Sequence, residues 1–141
     1  MKKIALFTTA LVFSLVAMSQ TKPDDVIKIA EEKHDFGKIK VGVPVTYAFE
    51  IKNITDKPVV VENSRASCGC TTPEKILEPI QPGATVKLKV QYNAGAVAPF
   101  NKEVYIKLAG VEQEKILYIV GEVLSAEAYD ALPKPKGKSK N

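Results

Sequence analysis

The most chemically distinctive part of the sequence is Cys68-Gly69-Cys70, which holds the only two cysteines of the chain. Two nearby thiols can form a disulfide, exchange with other thiols, or bind a soft metal such as copper(I) or zinc(II). A disulfide here closes a loop of about three residues, which stabilises the fold by only about 1.6 kcal/mol. Residues i and i+2 of an extended strand lie about 6.6 Å apart, near the upper limit for a disulfide. A tight turn at Gly69 brings the two residues closer, and if the bridge forms we expect it to be strained and easily reduced.

Three interpretations of Cys68 and Cys70 stay open from the sequence: a structural or locally packed pair, a redox pair, and a soft-metal site. Tetrahedral zinc needs four ligands, whereas His34 is the single histidine and both methionines lie in the first 19 residues. Two-coordinate copper(I), or a site shared between two chains, stays open as an alternative that uses Cys68 and Cys70. Our main expectation is no metal and no cofactor.

Candidate catalytic groups are few. His34 precedes Asp35, but adjacent residues of a strand point to opposite faces, so the two do not form a catalytic pair by themselves. The acidic pairs Asp24-Asp25 and Glu31-Glu32 are expected to be solvated surface. Asn53-Ile54-Thr55 matches a glycosylation sequon, and we interpret the match as chance. We therefore expect a protein without enzymatic activity.

The elements that must position these residues are short strands. Apolar and polar residues alternate with a period of two in 45–52 and 86–92, which indicates half-buried strands. Seven strands follow from such segments and the turn residues between them: 27–30, 34–39, 45–52, 59–61, 86–92, 104–108 and 116–123. About seven short strands in roughly 100 residues predict an all-β, immunoglobulin-like antiparallel β-sandwich in one domain. One helical turn is expected at 126–132.

The stretch 63–82 is irregular in sequence and contains both cysteines and three prolines. We expect it to be a long loop, and long loops on a rigid sandwich commonly carry function. Its centre is the predicted partner-binding site, which comprises Ser67, Cys68, Gly69, Cys70, Thr71 and Thr72.

The first 19 residues have the layout of a secretory signal peptide, with Lys2 and Lys3 before an apolar run and Ala17-Met18-Ser19 after it. The run of fourteen residues is shorter than the roughly twenty that span a bilayer. We expect cleavage after Ser19 and export to the periplasm or cell surface, with no integral membrane segment left. The absence of a cysteine directly after the run disfavours a lipid anchor.

Charge is divided unevenly along the chain. The formal net charge is +4, yet residues 20–132 carry fourteen basic and sixteen acidic side chains, so the excess of lysine lies at the two ends. A nucleic-acid-binding groove is therefore not expected. The predicted layout is a signal peptide (1–19), a flexible lead-in (20–26), the sandwich (27–124) and a largely disordered Lys/Pro-rich tail (125–141). The tail is able to make weak contacts with anionic surfaces.

Several segments in a fixed order carry a family resemblance. They are His34-Asp35-Phe36-Gly37, Gly42, Phe49-Glu50-Ile51-Lys52-Asn53, Ala66-Ser67-Cys68-Gly69-Cys70-Thr71-Thr72-Pro73, Pro79-Ile80-Gln81-Pro82-Gly83 and Val90-Gln91-Tyr92-Asn93. With these the sequence resembles the bacterial "domain of unknown function 1573" family. The resemblance implies an immunoglobulin-like sandwich similar to major-sperm-protein and pilus-chaperone domains, in an exported protein commonly from Bacteroidetes. It implies no particular activity, but it draws attention to the two cysteines.

The leading functional hypothesis is a non-catalytic binding or scaffolding module of the cell envelope. It would recognise a protein or glycan partner through the loop 63–82 or through a sheet edge. The alternative is a thiol redox protein or a soft-metal (copper) binding protein that uses Cys68 and Cys70.

Overall fold

The computed structural model describes residues 20–133 as two four-stranded sheets packed face to face. The predicted signal peptide (1–19) and the tail from residue 134 onwards lie outside the described residues. The strands are β1 Ile27–Ile29, β2 Lys33–Lys40, β3 Val45–Asn53, β4 Val61–Ala66, β5 Thr71–Pro73, β6 Thr85–Tyr92, β7 Pro99–Leu108 and β8 Lys115–Leu124.

The first sheet has the order β1-β3-β6-β5. Its centre is the antiparallel pair β3 and β6, in which Phe49 lies opposite Leu88 and Ile51 opposite Val86. Phe49, Ile51 and Leu88 are buried, while the residues between them on each strand face outward. The period of two in the sequence thus becomes one buried face on each strand, as predicted.

The second sheet has the order β2-β8-β7-β4. β7 and β8 are antiparallel, but β2 pairs with β8 in parallel, so the expectation of a purely antiparallel sandwich is wrong for this pair. Parallel strands need a crossover between them, and here the chain forms β3 to β7 before β8 returns beside β2. Pairing between residues so distant in sequence leaves no local pattern to predict it.

The structure also corrects the number of strands and the loop 63–82. There are eight strands rather than about seven. The strand predicted at 59–61 lies instead at Val61–Ala66 (β4), while Val59 forms an isolated bridge with Ile80, and β5 forms inside the supposed loop. β4 is a polar edge strand, with Glu62, Asn63 and Arg65 exposed, so its sequence lacks the apolar alternation that marks the inner strands. The irregular part of 63–82 reduces to the turn 67–70 and the segment 74–79.

Short helical elements flank the sandwich. A 3-10 turn at Pro23–Asp25 precedes β1, and α1 (Ala126–Asp130) follows β8, with the Ser125 Oγ accepting a hydrogen bond from the Ala128 amide at 3.2 Å. This confirms the predicted helical turn. Within residues 20–133, neither helix is of the length and apolar character that crossing a membrane requires.

Candidate functional site

The cysteine turn (residues 67–70) joins the two sheets at one side of the sandwich. It leaves β4, the last strand of the second sheet, and enters β5, the last strand of the first sheet. Two edge strands therefore lie next to each other here, each paired with a neighbour on one side. An edge strand presents backbone groups that can pair with another chain. The turn thus lies where a partner has access to both sheets.

Cys68 and Cys70 are joined by a disulfide, and their Cα atoms lie 5.3 Å apart. The separation is shorter than that of residues i and i+2 in an extended strand, because the chain turns at Gly69. In this oxidised state neither sulfur is a thiolate, which is the form that binds metal. The soft-metal alternative therefore applies only after reduction.

Backbone hydrogen bonds fix both ends of the cysteine turn. The Ser67 amide donates to the carbonyl of Glu103 at 2.9 Å, and the Glu103 amide donates to the Ser67 Oγ at 3.2 Å. At the other end, the Asn93 amide donates to the carbonyl of Cys70 at 3.0 Å. Inside the turn, the Thr71 amide donates to the carbonyl of Cys68 at 3.3 Å. The turn is therefore positioned by β6 and β7, which come from different sheets.

The six predicted partner-binding residues differ in exposure. Ser67, Gly69 and Thr72 are exposed, and Cys68 and Cys70 are half-buried. Thr71 is buried, and its hydroxyl lies 3.7 Å from the Cys68 Sγ and 3.9 Å from the Cys70 Sγ. The structure thus presents the first four residues and Thr72 on the surface to different degrees, while the Thr71 side chain is buried beneath the turn.

The segment 74–79 follows β5 and carries an apolar side chain that projects from the surface. Leu77 is 85% exposed. The segment is held by the Glu74 amide, which donates to the carbonyl of Lys89 at 2.8 Å, and by the Ser64 Oγ, which donates to the carbonyl of Glu74 at 2.7 Å. A groove of about 160 Å³ separates Leu77 and Ile76 from the first residues of β4. Together, the cysteine turn, segment 74–79 and this groove form the surface named here the β4–β5 face.

A second cluster joins the sheets at the opposite side, around Glu31. Its carboxylate contacts the His34 Nδ1 at 2.9 Å and accepts a hydrogen bond from the Tyr47 hydroxyl at 2.9 Å. The His34 ring stacks on the Tyr47 ring with centroids 3.5 Å apart. The hydrogen bonds from His34 and then Tyr47 lower the pKa of Glu31 below its usual value, and the bond to Glu31 raises the pKa of Tyr47. Sequence reasoning placed Glu31 on the solvated surface and missed this cluster.

The rest of the His34-Asp35-Phe36-Gly37 segment shapes β2. The Gly37 amide donates to the Asp35 Oδ1 at 2.7 Å, and Gly37 has a φ of 64°, a conformation that favours glycine. β2 shifts its register against β8 between Asp35 and Lys38. The Asp35 side chain therefore supports the β-bulge at this register shift.

Lys115 forms another contact that the sequence did not reveal. Its Nζ lies 2.5 Å from the Asp24 Oδ1 and 2.6 Å from the Glu32 Oε1. Partial burial alone lowers the pKa of Lys115, but the two carboxylates outweigh burial and raise it above the usual value. Asp24 and Glu32 were expected to be merely solvated, and the 91 residues between Asp24 and Lys115 explain why no local pattern predicted the ion pair.

Neither cluster resembles a metal centre or a nucleophilic catalytic site. Among residues 20–133, no three histidine, cysteine or acidic side chains are grouped so as to hold a metal ion. The His34 ring is oriented by Glu31, and it contacts the rings of Phe36 and Tyr47 at centroid distances of 4.7 Å and 3.5 Å. The cluster therefore packs the two sheets together.

Solved structures with this fold come from very different organisms. A protein of unknown function from Porphyromonas gingivalis W83 matches at a TM-score of 0.59 and 16% identity, covering 79% of this chain and 51% of that one. The ASH / PapD-like domain 7 of human CEP192 matches at 0.57 and 12% identity, covering 83% and 99%. WR4, a C. elegans MSP family member, matches at 0.51 and 10% identity, covering 70% and 98%.

These similarities establish the fold, an immunoglobulin-like sandwich of the PapD-like and MSP kind. The chain spans about half the length of the P. gingivalis protein. No curated protein sequence matches the chain. The sequence profile described as "Protein of unknown function (DUF1573)" matches residues 27–123, which are the whole sandwich from β1 to β8. The chain therefore belongs to the DUF1573 family.

Proposed function

We propose that this protein is a non-catalytic binding module of the bacterial cell envelope that holds a protein partner on its β4–β5 face. The family and the fold agree with a binding module, since PapD-like and MSP domains share the sandwich. The proposal of an envelope location rests on the signal-peptide layout of the first 19 residues. The partner-binding residues proposed are Ser67, Cys68, Gly69, Cys70, Thr71 and Thr72, together with segment 74–79.

The observation that carries the proposal is Leu77. A leucine that is 85% exposed contributes almost nothing to folding, whereas burying it against a partner is worth about 1.5–3 kcal/mol. The segment that carries Leu77 is held at its first residue, where the hydrogen bonds of Glu74 tie it to β4 and β6. Apolar side chains that are buried at the centre of an interface serve as its anchors.

The surroundings of Leu77 favour a polypeptide as the partner. The groove beside it is lined by Val61, Glu62, Asn63 and Ser64 of an edge strand, and by Lys75 and Ile76. An extended segment of another chain can pair with a sheet edge while its side chains occupy such a groove. The exposed hydroxyls of Ser67 and Thr72 lie on the same side of the sandwich and supply polar contacts for its rim.

The test compares two charge substitutions in cells. Leu77→Asp puts a charge where the partner must bury a leucine, and Ile54→Asp is the control, because Ile54 is also exposed (47%) and follows β3 beside β1, at the other edge of the first sheet. Each tagged variant is purified after in-cell crosslinking, and its co-purifying envelope proteins are quantified by mass spectrometry.

We expect the wild type and Ile54→Asp to co-purify the same reproducible partner. With Leu77→Asp, the amount of this partner should fall by at least about tenfold, which corresponds to a loss of roughly 1.4 kcal/mol of binding free energy. The melting temperatures should be alike, because both side chains project from the surface. Equal recovery with the two variants would exclude Leu77 as an anchor. Recovery of cytosolic proteins alone would contradict the envelope location.

A further inference from the structure

We propose that Cys68–Cys70 is a thiol–disulfide exchange site with a fixed direction of attack. An incoming thiolate bonds to the Cys68 Sγ, and Cys70 leaves as the thiolate. The substrate class is a protein dithiol or a small thiol such as glutathione. The proposal does not depend on partner binding by Leu77, since it rests on the geometry of the turn alone.

The first support is that the turn does not depend on its disulfide. The Ser67 and Cys70 backbones are held by hydrogen bonds to Glu103 and Asn93, and a bridge between residues two apart constrains the unfolded chain very little. Reduction therefore leaves both Cα atoms close to their 5.3 Å separation. The two thiols remain adjacent and able to re-form the bond, which a reversible exchange site requires.

The second support is open access over the turn. Gly69 is exposed, and among residues 20–133 no atom beyond its chain neighbours lies within 4 Å of the position that a Cβ on Gly69 would occupy. A disulfide exchanges only when a thiolate can reach one of its sulfurs. The glycine between the cysteines leaves that approach uncovered.

The third support is an asymmetry between the two sulfurs. Cys70 packs against the hydrophobic core, whereas within residues 20–133 Cys68 takes no part in that packing. Both cysteines are half-buried, and Cys68, which is not packed against the core, is the sulfur that we assign as the point of attack. The Thr71 hydroxyl lies 3.7 Å from the Cys68 Sγ and 3.9 Å from the Cys70 Sγ, and it is the proton donor in both contacts, because a disulfide sulfur has no proton. A hydrogen bond to the thiolate stabilises the leaving group.

The exchange balances in two steps. The thiolate of the substrate attacks the Cys68 Sγ, the bond between Cys68 and Cys70 breaks, and a mixed disulfide and a Cys70 thiolate form. A second substrate thiolate, which is the other thiol of a dithiol or a second molecule of glutathione, then attacks the substrate sulfur that is bonded to Cys68, forms the substrate disulfide and releases Cys68 as a thiolate. The two substrate thiols have lost two electrons and two protons, and the cysteine pair has gained the electrons and takes up protons from water.

The direction of attack is tested on the purified wild-type protein with reduced glutathione as the probe. The reaction is quenched at early times with acid and alkylation, and the site of glutathione is read by peptide mass spectrometry. We expect glutathione on Cys68 at least about tenfold more often than on Cys70. Equal labelling, or more label on Cys70, would overturn the assigned direction.

Two further measurements separate exchange from a purely structural disulfide. Reduction should proceed in the folded protein, with an unchanged far-ultraviolet circular dichroism spectrum, and a bond that glutathione reduces only in urea would overturn the proposal. Thr71→Val removes the hydroxyl and should slow reduction several-fold, whereas Thr85→Val, at an exposed position of β6, should leave the rate unchanged. Equal rates for the two variants would remove Thr71 from the mechanism and contradict its role beside Cys70.

Discussion

Asn53 shows how one residue organises a whole end of the sandwich. Its side chain is fully buried (0% exposed), and its amide nitrogen donates to the carbonyls of Lys57 at 2.7 Å and Ile80 at 2.8 Å. Its Oδ1 accepts from the backbone and the hydroxyl of Thr55, both at 2.8 Å. This explains structurally why an asparagine ends β3. It also agrees with our interpretation of the sequon as chance, because a buried side chain cannot carry a glycan.

We predict that Asn53→Ala lowers the free energy of unfolding by about 2–3 kcal/mol, because it removes a set of buried hydrogen bonds and leaves the Thr55 amide without its acceptor. Urea denaturation measures the change. Asn63→Ala is the matched control, since Asn63 is exposed on β4, and it should change stability by less than about 0.5 kcal/mol. Similar losses for both variants would contradict the role of Asn53.

Glu31 gives a prediction about pH. Its pKa in the folded protein lies below the usual 4.5 because of its bonds to His34 and Tyr47, so its contribution to stability is present above pH 4.5 and is lost as pH falls through the lowered value. Glu31→Gln should therefore have a melting temperature that falls less steeply below pH 4.5 than that of the wild type. Glu62→Gln, at an exposed position of β4, should follow the wild-type profile. If the melting temperatures of Glu31→Gln and the wild type fell equally steeply below pH 4.5, the stabilising contact of the Glu31 carboxylate with His34 and Tyr47 would be refuted.

At the scale of the elements, β7 and β8 are held close by a glycine that faces an aromatic ring. Gly121 pairs with Phe100 across the two strands. A Cβ on Gly121 would lie 2.8 Å from the Phe100 ring and 2.8 Å from the carbonyl oxygen of Gly37 in β2. Phe100 in turn stacks on Tyr92 with ring centroids 4.1 Å apart, so the same glycine connects β2 and β8 to the aromatic packing between the sheets.

We predict that Gly121→Ala destabilises the protein by about 1–3 kcal/mol, because the methyl group must displace the ring or the β2 backbone. Thermal and urea denaturation test this. Gly69→Ala adds the same methyl group in open space and should leave stability within about 0.5 kcal/mol of the wild type. If Gly121→Ala were as stable as Gly69→Ala, the close approach of Gly121 to the Phe100 ring and to the Gly37 carbonyl would be contradicted.

The elements also show what a sequence reveals. Inner strands such as β3 and β6 were predicted closely, because burial of one face imposes a period of two. β4 was displaced, since an edge strand tolerates polar residues on most positions and loses that period. The parallel pairing of β2 with β8 could not be predicted, because it joins residues more than 80 apart, such as His34 and Ile119.

The candidate sites likewise include one that the sequence reveals and others that form only when the chain folds. The cysteine pair was recognised because its chemistry lies within three consecutive residues. Glu31 with Tyr47, and Asp24 with Lys115, belong to different strands or segments and meet only in the folded chain. Leu77 looked like any loop residue, and its exposure became visible only when β4, β5 and segment 74–79 were seen beside one another.

At the scale of the whole molecule, the sandwich has two sides of different character. Around Glu31, aromatic rings and hydrogen bonds close the space between β2 and β3. At the β4–β5 face, two edge strands, an exposed leucine and a disulfide turn lie together. The first side holds the sheets together, and the second is the one we assign to partner binding.

The central claim, that a partner covers the β4–β5 face, is tested most directly by photocrosslinking from single positions in living cells. A photoreactive amino acid replaces Leu77 in one strain and Ile54 in another. We predict one discrete crosslinked protein band from position 77, reproducible between cultures, and no corresponding band from position 54. The same band from both positions, or no band from position 77, would contradict the account.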